Sequence, residues 1–467
     1  MAAVLSFDIS SGGIAAAFYN SALEPSGFNQ KEWRLQLDEA GAASIPAETV
    51  IAAFRETIAS LQSTTPANVI DAVSIASFMH NCVVLDAAGR PLTPVYTWLD
   101  RRGEDGMEFV RARMGTGFHE RTGCRFHPMF PVFKLASLYL ADPGLIARAA
   151  MVVSVKALLV HKLTGVWAED HGMASASGLF NIREGNWDTE LLSLIGIRRE
   201  VLPAVAGREQ VIGTVSSEAA VEFGIPAGTP VVNGSGDGFL ATLGSACTRP
   251  DRIAMTLGTS GSARQTLGNA VLDPGAGTFC YRAGDQSYLL GCATSNGGNV
   301  LDWGRSLFPN AGNEARPNVP IFLPFLHGER SPDWNPRLMA SWHGLSSLHT
   351  LADLAQSVLE GVVFNLAQYV EILQRVSNRK PDAIVLSGNG FLERSAARVL
   401  AAVVNAQVRM PLAPGLATLR GAAICAFPAL GLEVPALHTE LVPRVEDSRL
   451  RDRFEKFKVL RANAGEL

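Results

Sequence analysis

Two α/β domains enclosing a ligand cleft are what this sequence predicts, on three observations. The chain has 467 residues, about three times a typical domain length. Apolar residues make up 47% of it, enough for large cores. Short apolar runs end in glycine-rich turns near residues 8, 237, 258 and 388. Strand ends that converge on one ligand in this way belong at a crevice between α/β units.

The first run, residues 4–7, delivers Asp8 to a strand end before the turn Ser10, Ser11, Gly12 and Gly13. A second strand over 73–76 leads to Met79 and His80, and residues 83–85 form a third before the Asp86 to Gly89 turn. From about residue 104 the spacing turns helical, through 133–140 and 155–163, where Gly165 supplies a stop. Residues 229–233 carry the chain to Gly234, Ser235, Gly236, Asp237 and Gly238, and 253–257 run into Gly258, Thr259, Ser260 and Gly261. A long amphipathic helix begins near Leu351. Residues 383–386 reach Gly388, Asn389 and Gly390, another helix follows to Val403, and the charged tail 447–458, with Phe454 and Phe457 for docking, reads as a terminal helix.

Lys and Arg number 40 against 44 Asp and Glu, a formal charge of −4 without a basic stripe, which excludes a phosphate-backbone binder and so nucleic acid as partner. The expected location is cytoplasmic, with no membrane association: no basic leader precedes an apolar stretch, and no run of eighteen apolar residues occurs. Six cysteines, at 82, 124, 247, 280, 292 and 425, form no CxxC pair and are expected to be buried free thiols.

Asp237 is the candidate general base, because flanking glycines let a substrate approach its carboxylate; the bland reading is an Asp-containing turn. Gly258 and Thr259 offer backbone N–H groups and a hydroxyl for phosphate oxygens, or a plain turn. Asp8 holds Mg²⁺ through water or caps its turn, and Ser10, Ser11 and Gly12 supply phosphate contacts without a cation. Gly388, Asn389 and Gly390 border a nucleotide or merely join strand to helix. His80, Trp98, Asp100, Arg101, His127 and Lys134 suit a polyol or carboxylate ligand, each with a structural role as the alternative. Glu329 and Arg330 lie in a polar strip, 326–335, as site residues or as an ion pair. Trp187 and Trp303 are assigned to packing. No Walker loop, metal-ligand quartet or Ser-His-Asp pattern occurs.

From Asp8 to the tail, the chain resembles the FGGY carbohydrate kinases. The resemblance rests on the order of residues 83–92, the Trp98-Leu99-Asp100-Arg101-Arg102 block, Gly236-Asp237-Gly238, Leu257-Gly258-Thr259-Ser260-Gly261 and Gly328-Glu329-Arg330-Ser331-Pro332. Within the family, 121–129, 170–181 and Asn296-Gly297-Gly298 are similar to gluconokinases, while the setting of Met79, His80 and Asp237 is shared with xylulokinases.

The resemblance implies two ribonuclease-H-like domains of the actin and hexokinase type: residues 1–242 for sugar and base, 243–436 for nucleotide, and a helical tail, 437–467. It implies ATP and Mg²⁺ as cofactors and a small sugar or sugar acid as substrate. Asp237 becomes the base; Asp8 and Asp237 sit near the metal; Ser10, Ser11, Gly12, Gly258, Thr259, Gly388, Asn389 and Gly390 line the nucleotide. Met79, His80, Trp98, Arg125, His127 and Asp237 bind the acceptor, and His80, Arg125 and His127 are the expected partners of a carboxylate. A homodimer is a further expectation. Two departures stand out: the first loop, Asp8-Ile9-Ser10-Ser11-Gly12-Gly13-Ile14-Ala15, lacks the family's usual hydroxyls and basic residue, and Ala402 replaces a usual Asp. D-gluconate is the preferred acceptor; a ketose such as xylulose, a weakened sugar-sensing relative and a glycoside hydrolase using Asp237 with Asp8 or Glu329 are the alternatives.

Overall fold

A computed structural model describes residues 3–65, 69–309 and 319–464. The first half builds on strands β1 (Val4–Ser10), β2 (Gly13–Tyr19) and β3 (Pro25–Glu32), followed by helix α1 (Ala47–Thr64) and strand β4 (Ala72–Ser77). Helices α2 (Pro131–Ala141), α3 (Val155–Thr164) and α4 (His171–Ala176) come next, then β5 (Val211–Thr214), β6 (Pro230–Gly236) and α5 (Asp237–Gly244). The sheet order is β5-β6-β4-β1-β2-β3, with β1, β4 and β6 parallel and the β1-β2-β3 meander antiparallel. Strands β1 and β4 read as near-continuous apolar runs because helices cover both of their faces. Phe7 meets Phe54 of α1 at 4.5 Å, and Phe54 meets Phe223 at 5.4 Å, which fixes the outer layer.

The second half repeats the plan. Strands β7 (Arg252–Leu257), β8 (Gly261–Leu267), β9 (Phe279–Gly284) and β10 (Ser287–Thr294) precede helices α6 (Gly298–Leu307) and α7 (Leu351–Ser377). Then come β11 (Ala383–Ser387), α8 (Arg394–Val403), β12 (Gln407–Pro411), α9 (Ala417–Ala426), β13 (Thr439–Leu441) and α10 (Ser448–Ala462). The order is β9-β10-β8-β7-β11-β12-β13. In both sheets the central strands, taken in chain order, lie 3-2-1-4-5, with a meander followed by parallel additions. This is the ribonuclease-H-like arrangement, present twice. The segment 447–458 lies in a helix as expected, whereas 439–441, within the expected helical tail, pairs with β12 as β13. Asp447 caps the helix by accepting from Leu450 N at 2.9 Å, and Phe454 and Phe457 pack on Phe364 of α7 at 5.4 and 5.7 Å. All six cysteines are buried free thiols. Among the described residues no helix is long and apolar enough to cross a membrane.

The halves are joined by α5 and α9. Helix α9 follows the second sheet in sequence, yet Leu419, Ala422 and Ala423 pack in one cluster with Val4, Ala72 and Ala76 of the first sheet and Leu240 of α5. A side chain at Gly421 would come within 1.9 Å of the Leu240 carbonyl oxygen, and one at Gly244 within 2.0 Å of the Ala417 carbonyl oxygen. Glycine at both positions is therefore a condition of the crossing. Replacing Gly421 by Val should force the helices apart at a cost of about 3 kcal/mol and lower the thermal midpoint by roughly 5 °C. An unchanged midpoint in a calorimetric scan would mean that the crossing is not tightly constrained.

Candidate active site

Strand β6 ends at Gly236, and Asp237 opens α5, so the carboxylate stands at the seam between the halves. Asp237 Oδ1 accepts from its neighbour's amide, Gly238 N, at 2.7 Å. The flanking glycines serve closeness rather than a bend: Gly236 has φ −64°, and a side chain there would strike Met79 at 2.7 Å, while one at Gly238 would meet Met79 at 2.9 Å and the Arg264 guanidinium at 3.1 Å. Burial raises the Asp237 carboxyl above its usual 3.8, against the pull of Arg264 and the Gly238 amide.

One cavity gathers Met79, His80, Trp98 and Asp237 from the first half and Ser262, Arg264, Tyr281, Arg330 and Trp334 from the second. His80 has a left-handed backbone, φ 63°, and its Nδ1 lies 2.7 Å from the Ala176 carbonyl oxygen. Only a protonated Nδ1 satisfies that contact, so the neutral ring presents Nε2 as an acceptor; burial lowers its pKa to about 3. His80 thus suits a hydroxyl, not a carboxylate. His127 does not line the cavity; its ring centre lies 5.8 Å from that of Trp334, which does, and its Nδ1 accepts from Met129 N at 3.2 Å, while burial lowers it to about 3 as well.

Other expected contacts fall elsewhere. Arg125 does not line the cavity: it donates to the Pro274 carbonyl at 2.7 Å. Lys134 is buried and donates to the carbonyls of Thr97 and Met129, both at 2.7 Å, tying the Trp98 loop to the opposite wall; burial lowers it to about 8. Asp100 accepts from Ala43 N at 2.9 Å and pairs with Arg102 at 2.7 Å, and Arg101 pairs with Glu104 on the surface. These are structural roles.

In the strip read either as site residues or as a Glu329–Arg330 ion pair, the two side chains diverge. The Glu329 carboxylate accepts from Thr294 Oγ1 at 2.9 Å, Asn365 Nδ2 at 2.7 Å and the Arg330 amide at 2.7 Å, and burial raises it to about 7. That leaves the Arg330 guanidinium to donate to the Thr294 carbonyl at 2.5 Å and to lie 5.5 Å from the Trp98 ring centre. From α10, Arg461 donates to the Ser331 carbonyl at 3.1 Å, pairs with Asp333 at 2.8 Å and donates to Asn365 Oδ1 at 3.2 Å. The terminal helix therefore latches the strip that carries Arg330 and Trp334.

On the other side of Asp237, a second pocket is lined by Asp8, Ser10, Gly12, Thr259 and Asn389. Ser10 Oγ is held within its own turn, donating to the Gly13 carbonyl at 3.1 Å and accepting from Gly12 N at 3.3 Å. Ser11 is not in the lining; its carbonyl accepts from Trp33 Nε1 at 2.8 Å. Gly258 stands beside Thr259 and donates to the Ser260 carbonyl at 2.9 Å. Gly388 and Gly390 also lie outside the lining, because both press against Leu257, where any side chain would fall within 2.4 Å of it. Their residue type serves strand packing while Asn389 faces the pocket. Leu392 and Leu412 flank the mouth, 59% and 82% exposed, a platform the sequence reading missed. Burial and the charge of Asp237 raise Asp8 to about 7, against a hydrogen bond from Thr418.

Arg264 and Tyr281 were also missed, and Trp334 was read only as part of the strip 326–335. For Arg264 a signal existed: in a strand beginning at Gly261, residues 262 and 264 share a face, so an arginine amid small residues marks that face as the polar one.

Two ribonuclease-H-like sheets, with a carboxylate between a donor-rich cavity and a glycine-lined pocket, define the two-domain ATPase architecture of actin and hexokinase. Residues 3–244 match the model for the N-terminal domain of the FGGY family of carbohydrate kinases, and residues 253–430 match the model for its C-terminal domain. The chain belongs to the FGGY family of carbohydrate kinases. It is 30% identical to a gluconokinase of Bacillus subtilis (strain 168) over 68% of this chain and 66% of that protein, just under two thirds of its length. It is 28% identical to a xylulose kinase of Escherichia coli (strain K12) over 82% of this chain and 81% of that protein. The crystal structure of gluconate kinase from Lactobacillus acidophilus superposes with a TM-score of 0.89 at 26% identity, covering 99% of this chain and 98% of that one.

Two expectations follow from the site. Because burial raises Asp8 from 3.8 to about 7, the ligand-free fold loses stability as pH rises from about 4 to 7, where the unfolded chain is ionised and the folded carboxyl resists it. Asp8→Asn should remove that loss, with a gain that grows across this window to at most about 4 kcal/mol; a gain independent of pH in denaturant titrations would refute it. Arg461→Met should loosen the strip and raise KM for the acceptor severalfold while leaving KM for ATP nearly unchanged, as measured by steady-state kinetics.

Proposed function

We propose that the protein transfers the γ-phosphoryl group of ATP to the terminal hydroxyl of a sugar acid, D-gluconate, forming 6-phosphogluconate and ADP. The observation that carries this reading is Asp237, a carboxylate of raised pKa that lines the polar cavity and acts by its charge on Asp8 of the glycine-lined pocket. Asp237 takes the proton of the acceptor hydroxyl as its oxygen bonds to the γ-phosphorus and the bond to the β,γ-bridging oxygen breaks. Thr259, Ser10 and Gly12 border the phosphates, with Asn389 and the Leu392–Leu412 flank near the nucleoside. Asp8, a half-buried carboxylate close enough to Asp237 for that charge to raise its pKa, fits a Mg²⁺ held through water; when bound, that ion would neutralise phosphate charge. Burial between the halves excludes competing water.

A neutral ketose such as xylulose is the second reading, favoured by the acceptor lone pair that His80 Nε2 turns toward a hydroxyl. Gluconate is preferred because the cavity holds two guanidinium groups and one carboxylate. Asp237→Asn should keep the fold and acceptor affinity while lowering kcat at least about a thousandfold, read as acceptor-dependent ADP release with the product checked by mass. Turnover within tenfold of the parent enzyme would reject Asp237 as the base.

A further inference from the structure

Three buried polar atoms without a hydrogen-bond partner in the described structure belong to side chains of this one cavity: Arg264 Nε, Arg330 Nε and the Tyr281 hydroxyl. Their residues are 7%, 8% and 1% exposed. Arg264 has a single hydrogen bond, to Thr256 Oγ1 at 3.2 Å, and Arg330 donates its one side-chain bond to the Thr294 carbonyl. Neither guanidinium forms an ion pair among the described residues. Glu329 is committed to Thr294 and Asn365, and Asp237 is a single carboxylate whose own pKa lies above the usual range. A buried cation costs free energy unless it is paired, so two of them with spare donors in one cavity make a site complementary to an anion.

The groups first expected to hold a carboxylate are unavailable. Arg125 is turned to Pro274, His80 offers only a lone pair, and Lys134 spends its donors on two carbonyls. We propose that Arg264, Arg330 and Tyr281 form the receptor for the carboxylate of the acceptor and so select an aldonate over a neutral ketose or polyol. This rests on the kinase reading above and deepens it. Bidentate N–H donation matches the planar carboxylate, and the Tyr281 hydroxyl supplies a further donor. Trp98, beneath Arg330, packs on the carbon chain, and His80 Nε2 accepts from a hydroxyl along it. Without a carboxylate the two cations stay unpaired, so a neutral analogue is penalised twice, by the lost bonds and by the uncompensated charge.

The test measures calorimetric binding of D-gluconate and of D-glucitol, its neutral six-carbon counterpart, to the full chain without nucleotide. Parent enzyme, Arg264→Gln, Arg330→Gln and the charge-retaining Arg330→Lys are compared, each first checked for a cooperative thermal transition. The expected result is that the parent prefers gluconate at least tenfold. Each Gln variant loses that preference at least tenfold with glucitol affinity changed less than about threefold, and Arg330→Lys falls between. Equal loss of both ligands would assign the arginines a structural role and overturn the proposal. So would an unchanged preference, or lost turnover with intact gluconate binding, which would assign them to the phosphoryl group instead. A parent enzyme that binds glucitol as well as gluconate overturns the carboxylate receptor but leaves the kinase standing if a ketose is turned over. Preferential gluconate binding that never leads to ATP-dependent turnover rejects the kinase reading alone.

Discussion

Where α5 crosses α9, Gly244 and Gly421 remove the side chains that would hold the two backbones apart, and each glycine faces a main-chain carbonyl of the other helix. Helix α5 begins with Asp237, and α9 comes from the far end of the second sheet. The position of the Asp237 carboxylate relative to the second half is therefore set by a contact that leaves no room for adjustment. The parallel strands on either side deliver their ends to the same seam, so the cleft follows from the crossing once both sheets exist.

Charge is distributed across the seam with little internal neutralisation. Asp8 and Asp237 are raised on the first half; Arg264 and Arg330 are lowered by burial on the second, Arg264 to about 10. In a low-dielectric site each such group carries a solvation cost that a complementary ligand relieves. The carboxylates are complementary to a cation and the guanidinium groups to an anion. A ligand that matched either set would restore stability given up at these positions.

Much of the architecture was legible because the period of the apolar residues and the glycines at strand ends are local signals. The runs ending at Asp8, Asp237, Gly258 and Gly388 are strand ends, and Asp237 does stand at the seam. Within the site, Met79, His80 and Trp98 were readable as neighbours of Asp237. What escaped were contacts set by side-chain direction and long-range partners. Nothing near Arg125 in sequence reveals that Pro274 will occupy it. Glu329 and Arg330 are adjacent yet diverge, because Asn365, on a helix far along the chain, claims the carboxylate. Gly388 and Gly390 could be read as ligand contacts or as a turn, and only the proximity of Leu257 decides that their small size serves packing.

The route of the chain through these layers bears on how the protein is made. The face of the first sheet bearing Val4, Ala72 and Ala76 is closed by α9, and the strip bearing Arg330 is fastened by Arg461 of α10. During synthesis from the N-terminus, the first sheet must wait, with an apolar face uncovered, until the strands of the second have emerged as far as α9. Such a nascent chain is exposed to aggregation for much of its translation and is a natural client for holding chaperones. The same order keeps the cleft incomplete until late: Asp237 emerges well before Arg264 and Arg330, so no partial chain presents the full set of cavity side chains.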